Sequence, residues 1–292
     1  MRVLGGSAAG SMGRAIAGLL GVEYSAIELK KFPDGEFAAK VPFNAYGEDI
    51  VVVQSTYAPQ DRHIMELLFI ADALKEMKVK SIKAVIPYLA YMRQNKSFTE
   101  GESVNAKVVM RMLGQSGIDA IMTVQPHKTD PLSAFKGRAV AISPVRTLIE
   151  AAAKNLKDPY VLAPDRGGLE LAKSAAAILG CGYTHVDKER DQITGAAHIR
   201  NVPSERFDGK QVIIVDDVIS TGGTIALSSH FAYSRGAESV IAAAVHLVMS
   251  DDAHHRMSEE GVRKIYGTNT IPCENAELVD ISKDIAEGIT RL

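Results

Sequence analysis

The sequence predicts an α/β protein of two similar domains in tandem, each a central, mostly parallel sheet flanked by helices. Three observations predict it. Short, unbroken apolar runs rich in β-branched residues alternate with longer helical stretches along the chain, the pattern of parallel strands covered on both faces. The length, 292 residues, suits two domains of ordinary size. The halves also repeat an arrangement. Val3-Leu4-Gly5-Gly6 runs through small residues into a helix, as Tyr160-Val161-Leu162-Ala163 does through Pro164-Asp165-Arg166-Gly167-Gly168. Later in each half a strand, 50–53 or 212–215, meets a polar loop and a helix. The expected domains are residues 1–143 and 144–292, joined near Ser143-Pro144.

Strands are expected at 50–53, 82–86, 118–124, 160–163, 183–186, 212–215 and 239–245, where apolar runs are too short for a buried helix. Helices are expected at 61–77, 104–116, 144–155, 168–179 and 224–235, between those runs. The last stretch, 276–292, reads as a strand and a helix able to pack on either domain.

Lys and Arg number 33 against 35 Asp and Glu, so the net charge is −2. This balance gives no global positive field and disfavours a nucleic-acid partner. With 46% hydrophobic residues the chain can build real cores. No apolar run is long enough to span a bilayer, so no membrane role is expected. Residues 1–6 carry no secretory apolar region. Cys181 and Cys273 cannot form a disulfide framework or a four-cysteine metal site. The expected location is cytoplasmic.

The densest chemistry follows the strand at 212–215. Asp216-Asp217 come first, then Val218-Ile219-Ser220-Thr221-Gly222-Gly223-Thr224 and a helix. Two carboxylates at a buried strand end are costly unless they bind something. Backbone N–H groups of a glycine-containing loop before a helix converge on a phosphate, and the helix N-terminus favours the anion. The carboxylates can accept hydrogen bonds from vicinal sugar hydroxyls. Together they describe a sugar-phosphate site. The alternative is a tight turn with Thr224 as helix N-cap.

This segment resembles the 5-phosphoribosyl 1-diphosphate (PRPP) motif of type I phosphoribosyltransferases and PRPP synthases. Four further segments, in the family's order, are similar to ribose-phosphate pyrophosphokinases: Lys31-Phe32-Pro33-Asp34-Gly35-Glu36, Pro87-Tyr88-Leu89-Ala90-Tyr91-Met92-Arg93-Gln94, Pro164-Asp165-Arg166-Gly167-Gly168 and Asp187-Lys188-Glu189-Arg190. The chain length and the Lys96-Ser97-Phe98-Thr99-Glu100-Gly101-Glu102 loop resemble archaeal members most. The resemblance spans residues 1 to about 285. It implies two type I phosphoribosyltransferase-like domains, the second carrying the ribose 5-phosphate loop. It also implies transfer of the β,γ-diphosphoryl group of ATP to the C1 hydroxyl of ribose 5-phosphate, giving PRPP and AMP for nucleotide biosynthesis.

The implied ATP contacts are Phe32, Asp34, Gly35, Glu36, Arg93 and Gln94. Phe32 can stack on adenine while Asp34 and Glu36 accept hydrogen bonds; Pro-Asp-Gly is equally a common turn. Arg93 can grip a phosphate bidentately, or sit in a solvated basic loop. The implied ribose 5-phosphate contacts are Arg190, Asp216, Asp217, Ser220, Thr221, Gly222, Gly223 and Thr224, with Ser220 where many relatives have Asp. The implied cofactor is Mg2+, approached through His127 and Asp165. Gln125 and Pro126 depart from the family pattern, which has Asp two positions before the His and an apolar residue next to it. Asp165 can alternatively cap the following helix. Lys188 and Arg190, on one side of an extended segment, are the implied catalytic pair; the alternative is a solvated charge run over 187–191. The family's adenine pocket crosses a subunit interface, so a homo-oligomer, at least a dimer, is expected.

Competing readings are a phosphoribosyltransferase, which would not need the two ATP segments, and a regulatory relative without catalysis. Gly5-Gly6-Ser7-Ala8-Ala9-Gly10-Ser11 lacks the Lys of a P-loop, and His254-His255 lacks a metalloprotease context.

Overall fold

The computed structural model describes residues 1–97, 99–190, 197–201 and 205–292, with backbone alone for 187–190 and 197–201. In chain order the first half carries β1 (Arg2–Gly5), α1 (Met12–Leu20), β2 (Tyr24–Ala26), β3 (Glu28–Lys31), β4 (Phe37–Lys40), β5 (Asp49–Val53), α2 (Gln60–Glu76), β6 (Ser81–Ile86), α3 (Asn105–Gln115), β7 (Ala120–Val124) and β8 (Arg138–Ile142). The second carries α4 (Val145–Ala153), β9 (Pro159–Ala163), α5 (Leu169–Leu179), β10 (Tyr183–His185), β11 (Asp187–Arg190), β12 (Ala197–Asn201) and β13 (Gln211–Ile219). There follow α6 (Gly223–Ser234), β14 (Ser239–Leu247), α7 (Ala253–Glu259), β15 (Val262–Thr268), β16 (Glu277–Val279) and α8 (Ser282–Ile289).

The chain divides into two compact units, Met1–Ser143 with Ile281–Leu292, and Pro144–Asp280. Each holds a six-stranded sheet. The orders are β2-β1-β5-β6-β7-β8 and β10-β9-β13-β14-β15-β16, and every neighbouring pair in both is parallel. Strand by strand the orders correspond: β1 with β9, β5 with β13, β6 with β14. The apolar runs explain the layering. Ile50, Val51, Val52 and Val53 are all fully buried, and β14 is buried along its whole length, so both sheet faces must be covered.

Two antiparallel hairpins stand apart from the sheets, β3 with β4 and β11 with β12. Their strands lack the apolar runs that mark the sheet strands. Among the described residues no helix is long and apolar enough to cross a membrane.

Two expectations need correction. The strand expected at 212–215 runs on to Ile219, because β14 continues to pair with it at Val218↔His246 and Ile219↔Leu247. On its other side the pairing with β9 ends at Ile214↔Leu162. The terminal stretch also divides. Strand β16 joins β15 in the second unit, whereas α8 belongs to the first unit and not to a domain of residues 144–292. The cause is its apolar face: Ile285 and Ile289 are buried, the helix packs on α1 and β8, and Gly288 closes on Met122 and Ile142. Truncating Ile285 to Ala should therefore destabilise the first unit by about 2–5 kcal/mol. Urea unfolding followed by a probe in each unit checks it, with the second unit's transition unmoved.

Candidate functional site

In the second unit the site is built at the carboxyl end of β13, where parallel α/β sheets bind ligands. Beyond Ile214 the strand's ladder continues with β14 and no longer with β9, so Asp216 and Asp217 lie at a strand tip that projects past β9. Both are half-buried. Asp216 Oδ1 accepts the backbone N–H of Asp217 at 2.9 Å. The loop after β9 lies against the same tip: a Cβ on Gly168 would sit 3.6 Å from the Val215 carbonyl oxygen. Asp165, at the start of that loop, takes the backbone N–H groups of Gly167 (2.8 Å) and Gly168 (3.3 Å) on one oxygen. The capping alternative is thus what its Oδ1 does, for a short 3-10 turn.

Burial pushes the Asp216 carboxyl well above the usual carboxylate range. The charge and hydrogen bond of Asp217 add to this, the charge of Asp165 adds further, and only the Asp217 N–H opposes it. Three carboxylates held this way favour an occupant bringing hydroxyl donors or positive charge. This donor chemistry fits a hydrated Mg2+. Among the described residues no three His, Cys, Asp or Glu side chains form a metal cluster of their own.

Ser220, Thr221 and Gly222 then turn the chain into α6. Gly222 has φ 72°, and a Cβ there would meet the Ala253 carbonyl oxygen at 2.8 Å, so both conformation and space require glycine. The helix begins at Gly223 with Gly222 as N-cap. Thr224 therefore lies in the first turn and is not the N-cap. Beneath the loop runs α7, whose Arg256 donates Nη1 to the Thr221 carbonyl at 3.0 Å. Sequence reasoning missed Arg256. It lies 35 residues along the chain from Thr221, on an exposed helix whose pattern carries no signal.

In the first unit, Pro33-Asp34-Gly35 forms the turn of the β3–β4 hairpin. Phe32 N–H donates to Glu36 O at 2.8 Å, Glu36 N–H donates to Asp34 Oδ1 at 3.0 Å, and Gly35 has φ 97°. The turn reading is realised, and it leaves Phe32 37% exposed, with the Lys30 ammonium 5.1 Å from its ring centre. Arg93 is exposed beyond β6. The Gln94 side-chain amide donates to Lys96 O and Glu102 Oε2 at 3.3 and 3.4 Å. His127 is exposed after β7. Tyr91 (φ 66°) and Gln125 (φ 36°) hold left-handed backbone just before Arg93 and His127. Such backbone costs about 1–3 kcal/mol in a non-glycine residue and collects at functional segments.

The first unit's counterparts of the second unit's loops are internally occupied. After β1, the Ser7 N–H and hydroxyl both donate to the buried Glu66 carboxylate, at 2.6 and 2.5 Å. The Ala8 N–H donates to Gln54 Oε1 at 2.9 Å. After β5, the Thr56 hydroxyl donates to Tyr88 O and accepts the Ala90 N–H, both at 2.8 Å. Ser55 Oγ accepts the Tyr88 N–H at 3.1 Å.

The backbone of Asp187–Arg190 is a strand paired with Ala197–Asn201. The side chains of Lys188 and Arg190, and Asp191 of the charge run, lie outside the described residues.

A sheet order shared by both units and a hydroxyl-rich loop behind an acid pair define a protein of the phosphoribosyl-transfer class. Residues 140–277 match the phosphoribosyl transferase domain, and residues 1–117 match the N-terminal domain of ribose phosphate pyrophosphokinase. The chain is 42% identical over 291 residues to the ribose-phosphate pyrophosphokinase of Sulfolobus acidocaldarius, covering 99% of this chain and 100% of that one. It is 36% identical to that of Methanothermobacter thermautotrophicus, over 97% and 100%. The crystal structure of phosphoribosylpyrophosphate synthetase from Mycobacterium smegmatis superposes with a TM-score of 0.88 at 29% identity, covering 99% and 97%. The chain belongs to the ribose-phosphate pyrophosphokinase family.

Two outcomes are expected. With a folded-state pKa above its unfolded value, Asp216 binds its proton more tightly in the folded chain. Its penalty is therefore fully present above the folded pKa and disappears as pH falls toward about 4. Asp216→Asn should raise the Tm of the ligand-free protein by about 2 °C or more at pH 7 and leave it unchanged near pH 4, read by scanning calorimetry. Gly222→Ala should lower stability by about 1 kcal/mol or more, read by chemical denaturation at neutral pH.

Proposed function

We propose that this chain transfers the β,γ-diphosphoryl group of ATP to ribose 5-phosphate, giving PRPP and AMP. The observation that carries the reading is the acid pair at the tip of β13 with the Ser220–Gly222 turn behind it, in a chain whose full length matches the family. Asp216 and Asp217 accept hydrogen bonds from the ribose hydroxyls, and Ser220, Thr221, Gly222, Gly223 and Thr224 receive the 5-phosphate. Phe32, Asp34, Gly35, Glu36, Arg93 and Gln94 hold ATP.

The C1 hydroxyl oxygen attacks the β-phosphorus and releases its proton. The bond from that phosphorus to the α,β-bridging oxygen breaks, and AMP leaves with the bond's electron pair. Catalysis is alignment and neutralisation of spreading negative charge. Lys188 and Arg190 supply positive charge to the transferring group and the departing AMP, and Arg190 also touches ribose 5-phosphate. Mg2+, with Asp165 and His127 as the residues that would hold it, supplies neutralisation of the ATP phosphates when bound. Asp165 keeps its loop in shape through the amides of Gly167 and Gly168. The active form is a homo-oligomer, at least a dimer, of a cytoplasmic enzyme of nucleotide biosynthesis.

A nucleotide assay tests this. With ATP, ribose 5-phosphate and Mg2+ the protein should form AMP and no ADP. Omitting the sugar phosphate or adding EDTA should abolish the product. Lys188→Ala should lower kcat about 100-fold. Turnover unchanged in that variant, or ADP as the product, overturns the reading.

A further inference from the structure

We infer that Arg256 is a positioning residue that aims the phosphate loop, so that it sets affinity for the phosphorylated end of the sugar. The inference rests on the ribose 5-phosphate reading of that loop. A trans peptide points its carbonyl and its N–H in opposite directions. Fixing the carbonyls of a turn on one side therefore aims its N–H groups to the other.

Each successive carbonyl at this turn is held. Ile219 O accepts the Val248 N–H at 2.9 Å, Ser220 O accepts the Ser250 N–H at 3.2 Å, and Gly222 O accepts the Ala226 N–H at 2.9 Å. Those three partners are backbone. The remaining carbonyl, Thr221 O, takes the guanidinium of Arg256 at 3.0 Å. The Thr221–Gly222 peptide, midway through the turn, is thus oriented by a side chain. The bond is charge-assisted and stronger than a neutral one.

Two contacts show that the fit is built. The space beside Gly222 is filled by the Ala253 carbonyl and the Met257 side chain, 2.8 and 3.1 Å from where a Cβ would stand. A Cβ on Gly223 would lie 3.7 Å from Arg256 Nη1. Helix α7 therefore forms the floor of the turn, with Met257 and Ala253 buried and Arg256 on the exposed side. The guanidinium brings a positive charge to a loop that receives a dianion, beside the carboxylates of the same site. Without it the peptide loses its fixed direction and the loop loses the cation bonded to it. The segments 32–36 and 93–94, read as ATP contacts, belong to the first unit.

Steady-state kinetics and calorimetric titration with ribose 5-phosphate on the intact protein test the inference, using Arg256→Ala, Arg256→Met and Arg256→Lys. Ala and Met should raise KM for ribose 5-phosphate about tenfold, with kcat and KM for ATP within twofold of the parent. Lys, a single-point donor, should recover part of the loss. Direct titration should show the same weakening without turnover. A KM unchanged in both Ala and Met variants overturns the inference while AMP formation by the parent leaves the proposed reaction standing. A loss spread evenly over kcat and both KM values also overturns it, since that is what a general structural defect gives. If the parent binds ribose 5-phosphate but forms no AMP, the reaction falls and the titration alone decides the role of Arg256. A parent that does not bind ribose 5-phosphate overturns both.

Discussion

Two adjacent carboxylates at the tip of a parallel strand are the constraint around which the second unit is arranged. Burial and the Asp217 charge disfavour the charge of Asp216, and the Asp165 charge adds to the strain. The fold keeps them there because the pairing of β13 with β14 runs on past its pairing with β9. The backbone nearby answers that charge with donors. Asp165 is tied to two amides, Asp216 takes the amide of Asp217, and the next turn offers hydroxyls and backbone N–H groups before a helix N-terminus. The strain is of the kind that hydroxyl donors or positive charge relieve.

The first unit repeats the sheet order and spends the same positions differently. Its loop after β5 also carries hydroxyls, Ser55 and Thr56, but these are turned inward to hold Tyr88 and Ala90. They thereby fix the segment that leads to Arg93. One framework thus carries an acid pair and a glycine turn in one half and inward-bonded hydroxyls in the other. The sheet sets where loops can go, and the side chains of those loops decide what they hold.

Much of this was legible in the residues. Buried parallel strands announce themselves as continuous apolar runs, and 50–53, 82–86 and 160–163 fall where the structure has β5, β6 and β9. The acid pair and its loop were legible because their chemistry is contiguous. The extension of β13 was not, since Asp216 and Asp217 break the apolar run while the pairing with β14 goes on. The destination of α8 was not either. Its apolar face suits either unit, and tertiary packing on α1 and β8 decides. Arg256 is the clearest gap: an exposed Arg on a short helix looks like any solvated residue until the fold brings it under Thr221. Strain at Tyr91 and Gln125 is likewise a property of backbone that no side-chain pattern encodes.

The carboxylate of Glu66 bears on what the loop after β1 can accept. It is anchored in the same unit as the Ser7 amide it occupies, so it competes at a local concentration that dissolved metabolites do not reach. Gln54 claims the next amide in the same manner. A free anion arriving at those amides would have to displace a tethered occupant.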